Sequence, residues 1–213
     1  MEPSPPASRT VRAVDFAGPA GRLEGLWCDP GTGYPAAIIA HPHPAHGGSM
    51  HSKVVHTVYR VLNEAGHPTL RFNFRGVGRS QGQYSGWNQE QDDFAAAASY
   101  ARAQTGRPKL WGAGFSFGSW IGLQWALLDP GVERFIALGV PLESHAFDFI
   151  DRLPWPLAIV QGEKDRYGRP ETLESYIERW NRLGPVTHRI VKDADHFFTG
   201  KLTELEQALK EIL

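Results

Sequence analysis

Residues 109 to 118 read Lys-Leu-Trp-Gly-Ala-Gly-Phe-Ser-Phe-Gly, and the reading of this stretch decides the fold. Lys109–Ala113 is a short apolar run of the kind that makes a buried strand, and Ser119–Leu128 has the composition of a helix. Between them lies Gly114-Phe115-Ser116-Phe117-Gly118, a G-x-S-x-G pattern. Five such residues occur by chance in many chains; set between a buried strand and a helix they gain a specific meaning. A sharp strand-to-helix turn thrusts the hydroxyl of Ser116 outward, where a base can reach it from one side. The turn crowds the neighbouring chain, so the positions two residues either side tolerate only glycine. The positive end of the following helix then points at the turn and favours an oxyanion forming there.

The same alternation extends in both directions. Upstream, Val11–Phe16 and Arg22–Trp27 flank a Gly-Pro-Ala-Gly turn and read as an antiparallel pair. Ala36–Ala40 (AAIIA) suits a fully buried strand. Lys53–Ala65 is spaced as a helix, Thr69–Phe74 as a strand, and Asp92–Gln104 as an Ala-rich helix. Downstream, Arg134–Leu138, Leu157–Val160 and Thr187–Val191 read as strands, Glu171–Leu183 and Leu202–Leu213 as helices. Strands alternating with helices imply βαβ crossovers and a mostly parallel sheet covered on both faces. The expectation is a three-layer α/β fold of about eight strands, one domain over residues 11–213, behind a loose Pro- and Ser-rich tail at 1–10.

A chain of 213 residues supports one sizeable core, and 41% hydrophobic with 21% charged residues is ordinary for a globular protein. The formal net charge of -1 gives no electrostatic footprint for nucleic acid or an anionic membrane. No apolar run approaches the roughly 20 residues of a membrane span. The first residues have neither a basic segment nor an apolar one, so no signal peptide is read. One cysteine, Cys28, fits a reducing compartment, and the expected address is cytoplasmic.

A serine nucleophile needs a general base, and the base needs a group to hold its tautomer. In the α/β-hydrolases, which the Gly114–Gly118 stretch in its strand-to-helix setting resembles, the chain order runs Ser, acid, His. Beyond Ser116 the histidines are His145, His188 and His196. His188 falls inside a strand as a surface or edge residue, and His145 precedes any strand that could present an acid. His196 follows the last strand, at the sheet end where open α/β folds gather their sites, and is the expected base. The acid should follow Leu157–Val160. Asp165, reached after the turn at Gly162, is preferred over Glu163, Asp193 and Asp195.

A second cluster reads His41-Pro42-His43-Pro44-Ala45-His46-Gly47-Gly48-Ser49-Met50. Its H-x-H-x-x-H spacing invites a zinc site. The metallo-β-lactamase-type hydrolases resemble it in this run, but Ala45 stands where they place an aspartate, and no metal is expected. The other reading is an oxyanion loop. The α/β-hydrolase resemblance implies one donor at the N–H after the nucleophile, here Phe117, and a second N–H from the loop after the third strand. Pro42 and Pro44 have no N–H; of His43 and Ala45, His43 is preferred as nearer the strand end.

Taken together, these motifs resemble the small bacterial α/β-hydrolases that carry an HPHP-xx-GG-x-M loop. Arg71-Phe72-Asn73-Phe74-Arg75-Gly76-Val77-Gly78-Arg79-Ser80 resembles the R-G-x-G-x-S stretch after the fourth strand of many such enzymes, and Gly114 to Gly118 and Asp195-His196-Phe197-Phe198 match as well. The likeness runs from about residue 11 to the C-terminus. It implies hydrolysis of carboxylic esters or thioesters by Ser116, Asp165 and His196, with no cofactor and a small-molecule substrate. One departure is Gly86-Trp87-Asn88-Gln89-Glu90, where relatives often show G-x-G-E; this bears on the pocket rim. Only Pro141 to Pro156 intervene where many relatives insert a helical cap, so a lidless site with a preference for short acyl groups is expected. Phe115, Phe117, Trp120, Trp87 and Phe197 are candidates to line it, with Phe115 and Trp120 more at home in the core. A peptidase would need a gating domain for which there is no room, and a non-enzymatic binding module would be expected to have lost a triad member.

Overall fold

The computed structural model describes residues 10–86 and 89–213. Apart from Thr10, the expected tail at 1–10 lies outside the described residues, as do Trp87 and Asn88. Eight strands form one sheet in the order β1-β2-β4-β3-β5-β6-β7-β8. They are β1 (Arg12–Gly18), β2 (Gly21–Cys28), β3 (Ala36–Ala40), β4 (Thr69–Phe72), β5 (Leu110–Phe115), β6 (Val132–Leu138), β7 (Leu157–Gly162) and β8 (Val186–Val191). β1 pairs with β2, and β2 with β4, in antiparallel fashion; every other pairing is parallel.

Helices α1 (Lys53–Glu64), α2 (Glu90–Thr105), α3 (Phe117–Leu128), α4 (Pro170–Trp180) and α5 (Leu202–Ile212) cover both faces. β3 shows how one strand serves two cores. Ala36, Ile38 and Ala40 belong to the apolar cluster that includes Phe94 and Ala98 of α2 and Ile121 of α3, the helices that cover this face of β3. Ala37 and Ile39 point the other way, into the cluster that holds Val55 and Val58 of α1. Because side chains alternate along a strand, a strand buried on both faces must be apolar throughout, which is why AAIIA carries no polar residue. At the far edge, His188 on β8 is exposed, as its place in the sequence suggested.

The chain departs from the expected elements mainly at their ends. β4 stops at Phe72 because the N–H of Phe74 leaves the ladder and donates to His41 Nε2 at 3.1 Å. β5 runs on to Phe115 and α3 begins at Phe117, so Ser116 alone makes the turn. No helix or strand lies between β6 and β7. That stretch spends its apolar residues inward: Phe147, Ile150, Leu153 and Trp155 are buried, and the Phe147 ring packs 6.0 Å from Trp180. It forms no cap.

The connections position the site. β3 is flanked by β4 on one side and β5 on the other, so the loops leaving β3 and β5 diverge at the point where the strand order reverses. Open α/β sheets bind ligands in such a crevice. The His41–Gly48 loop leaves β3 and Ser116 directly follows β5, so topology alone brings them side by side.

Candidate active site

Ser116 adopts φ 53° and ψ -121°, a region few non-glycine residues occupy. Such backbone strain costs roughly 1–3 kcal/mol and persists only where the surroundings hold it. Here its N–H donates to Leu138 O at 2.9 Å and its carbonyl accepts from Ser119 Oγ at 2.6 Å. A Cβ on Gly114 would lie 2.2 Å from Gly118 O, and one on Gly118 would lie 2.6 Å from Ala40 O. Both glycines are therefore required by close backbone approach.

Three chain-distant side chains meet at this turn. His196 Nε2 lies 2.9 Å from Ser116 Oγ, and His196 Nδ1 lies 2.8 Å from Asp165 Oδ2. With the Nδ1 proton directed at the carboxylate, Nε2 presents a lone pair to the hydroxyl. The Asp165 carboxylate is buried and fully engaged: Oδ1 accepts the N–H groups of Tyr167 (2.8 Å) and Gly168 (3.2 Å), and Oδ2 accepts Gln161 Nε2 at 2.8 Å. The rival acids have other work. Asp195 Oδ1 accepts the N–H groups of Phe197 and Thr199 and shapes the loop. Asp193 pairs with Lys164 at 2.6 Å, and Glu163 accepts the Asp193 N–H.

Gln161 escaped notice in the sequence. It is fully buried, donates to both Asp165 and Gly168 O (2.7 Å), and accepts the Val140 N–H at 2.8 Å. It ties the acid's loop to the end of β6. A lone Gln at a strand end gives no sequence signal for this. Tyr167 was missed too; its ring sits 4.6 Å from that of His196.

The His-rich loop is held by its own backbone. His43 Nδ1 accepts the Ala45 N–H at 3.1 Å, while the N–H groups of His46 and Gly48 donate to His43 O and that of Gly47 to Pro44 O. Ala45, the rival to His43 as an anion donor, thus has its N–H turned onto a ring nitrogen. With Nδ1 accepting, the His43 proton resides on Nε2, 3.1 Å from Tyr84 Oη. Burial, with His46 nearby, pushes the His43 imidazole below its ordinary value. His41 is wholly buried, with Nε2 taken by the Phe74 N–H and Nδ1 by Pro42 O at 2.6 Å. Burial drives its pKa down to about 4. Among the described residues no group of three or more His, Cys, Asp or Glu is placed to hold a metal.

The resemblance motifs downstream of β4 act as struts. Asn73 Oδ1 accepts the Met50 N–H at 2.7 Å and Asn73 Nδ2 donates to Glu24 Oε1 at 2.8 Å. Arg75 forms a buried ion pair with Asp93 at 2.7 Å, fastening this loop to α2. A cleft of about 500 Å³ opens over Ser116, lined in part by Phe115, Phe117, Phe197 and His145. His145 was set aside as a base, and it stands in the cleft wall. Trp120 donates its indole N–H to Ala146 O and packs beside Phe117 instead of lining the cleft. Trp87 lies outside the described residues.

A family model described as serine aminopeptidase, S33, matches residues 40–148. An α/β serine hydrolase homologue from Coxiella burnetii is 35% identical, superposes with a TM-score of 0.87 and aligns over 95% of this chain and 97% of its own. A serine hydrolase without a lid, from Xanthomonas campestris, is 33% identical with a TM-score of 0.83 over 98% and 95% of the two chains. The chain is a small, lidless α/β-hydrolase. This hydrolase is also similar to a protein of unknown function from Agrobacterium tumefaciens, at 34% identity and a TM-score of 0.90 over 94% of each chain. The absence of a cap agrees with the short β6–β7 connection. No helix among its described residues is long and apolar enough to cross a membrane.

Proposed function

We propose that this hydrolase cleaves short-acyl carboxylic esters or thioesters through a Ser116–His196–Asp165 triad and an acyl-enzyme. The observation that carries the reading is the continuous chain of contacts from Asp165 Oδ2 through His196 to Ser116 Oγ, at 2.8 and 2.9 Å. Ser116 Oγ attacks the carbonyl carbon as its proton passes to His196 Nε2. The negative oxygen of the tetrahedral intermediate is received by the N–H groups of Phe117 and His43. Collapse breaks the ester bond, and the departing alkoxide or thiolate takes the proton from His196. Water then repeats the sequence on the acyl-serine and releases the acid. Asp165 holds the imidazole in the tautomer the first step needs and stabilises the imidazolium that follows.

Ester cleavage is favoured over aminopeptidase action by the cleft walls. An aminopeptidase must neutralise the substrate's terminal ammonium, and no Asp or Glu lines the cleft among the described residues. The uncapped cleft also offers few walls for a long acyl chain, whose methylenes gain about 0.8 kcal/mol each only when covered. A reducing, cytoplasmic setting belongs to the same proposal, with Cys28 buried against Asn63.

The test is Ser116→Ala in the full chain, assayed on p-nitrophenyl acetate and with a serine-directed phosphonate. Turnover should fall roughly 10⁴- to 10⁶-fold and labelling should vanish, with the fold unchanged. Labelling that persists in the folded variant would remove Ser116 from the mechanism.

A further inference from the structure

Among the described residues lining the cleft over Ser116, none is Leu, Ile, Val or Met, and none is Lys, Arg, Asp or Glu. Phe115, Phe117, Tyr167 and Phe197 line it together with four histidines and two prolines, Phe115 and Phe117 being almost wholly buried behind the others. Two of these rings stand in water: Phe197 is 56% exposed and Tyr167 is 49% exposed. Both lie against the proposed base, with ring centroids 5.1 Å and 4.6 Å from that of His196. Phe115 backs them, 5.2 Å from His196 and 6.4 Å from Phe197. Large apolar rings exposed around a reactive pair gain most when a ligand covers them. Aromatic groups meet one another face to edge or offset, an attraction that a saturated group of equal size does not share.

We propose that the ester taken by this site carries an uncharged aromatic ring, one or two bonds from the scissile carbonyl or its oxygen, that packs on Phe197 and Tyr167. The ring is uncharged because the lining offers no fixed charge to compensate one withdrawn from water. This inference rests on the Ser116 reading and narrows it from esters in general to aryl-bearing ones.

The experiment compares kcat/KM for pairs with nearly equal chemical reactivity. Benzyl acetate against cyclohexylmethyl acetate probes the alcohol side, and ethyl phenylacetate against ethyl cyclohexylacetate the acyl side. At least one aromatic member should be preferred about tenfold, the scale of one or two ring-on-ring contacts. In Phe197→Leu and Tyr167→Leu that ratio should shrink toward one; Phe197 is exposed enough that its replacement should still fold, which a melting curve checks. 4-Carboxybenzyl acetate should be a poorer substrate than benzyl acetate. Ratios near one in both wild-type pairs overturn the aromatic assignment while leaving the serine mechanism standing, as does a ratio that the two Leu variants leave untouched. Equal or better turnover of the carboxylated ester overturns the claim that the ring is uncharged. Absence of turnover on every ester, with no phosphonate label on Ser116, would instead bring down the underlying reading.

Discussion

His41 and His196 are buried to nearly the same degree, 0% and 5% exposed, and each packs against a phenylalanine ring. Their nitrogens meet different partners. Those of His41 face a backbone carbonyl and a backbone N–H, so the ring replaces a missing stretch of ladder where β4 ends. Those of His196 face a carboxylate and a hydroxyl, groups that can exchange charge and protons. Burial alone makes an imidazole inert by penalising its charged form; burial beside an anion and a hydroxyl is the setting that the proposed role of His196 as base requires. The histidine in the more conspicuous sequence motif is the one whose nitrogens both face the backbone.

The comparison breaks first on rates. His196→Ala should lower kcat/KM roughly 10⁴-fold or more, whereas His41→Ala should lower it by less than about tenfold per folded molecule. Steady-state assays on p-nitrophenyl acetate decide this, and a comparable loss in both variants would erase the distinction.

Stability should rank the two the other way. Removing the His41 ring leaves the buried Phe74 N–H without its acceptor and opens a cavity, which should cost about 3 kcal/mol in a urea titration. The His41 imidazole has its pKa lowered from 6.5 to about 4 in the folded chain. Its contribution is therefore complete above pH 6.5 and is lost as pH falls from there toward 4, because the unfolded chain then binds the proton and the folded one does not. The loss over that window is about 3 kcal/mol, at 1.36 kcal/mol per pKa unit. The wild type minus His41→Asn difference isolates this from the other histidines. A difference that stays flat from pH 7 to 4 would show that His41 is not held neutral.

A smaller effect sharpens the account of His196. Gln161→Met removes one of the hydrogen bonds that hold Asp165 Oδ2. The expected result is a fall of about tenfold in kcat with KM unchanged, since Gln161 is fully buried and does not line the cleft. A rise in KM alone would assign Gln161 to the shape of the cleft. The smallest effect is none at all: EDTA should leave activity unaltered, because both nitrogens of His41 are engaged by the backbone. Loss of activity on chelation, restored by zinc, would return the His41–His46 run to consideration as a ligand set.

Much of this molecule could be read in advance because periodicity survives folding. A strand covered on both faces must be apolar throughout, and AAIIA is. A turn with backbone 2.2 Å from a would-be Cβ must be glycine, and Gly114 is. Element ends were less legible, since β4 is cut short by a side chain from a loop 33 residues away. Trp120, read as core, does pack against the core, and its indole N–H donates to Ala146 O, a partner that no local spacing announces.

By itself the sequence determined the order of layers, the position of Ser116 on a strand-to-helix turn, and the lack of room for a cap between β6 and β7. Each of these depends on local spacing, which the chain carries along its length. Only the tertiary structure decided which of four carboxylates meets His196, which nitrogen of His43 bears the proton, and that Gln161 braces the acid. It also decided that the cleft is walled by rings and two prolines, with no Leu, Ile, Val or Met among the described residues. Those outcomes depend on distances across loops from β3, β5, β7 and β8, and on where side chains point once the strands lie side by side. No spacing along one segment encodes a distance between two.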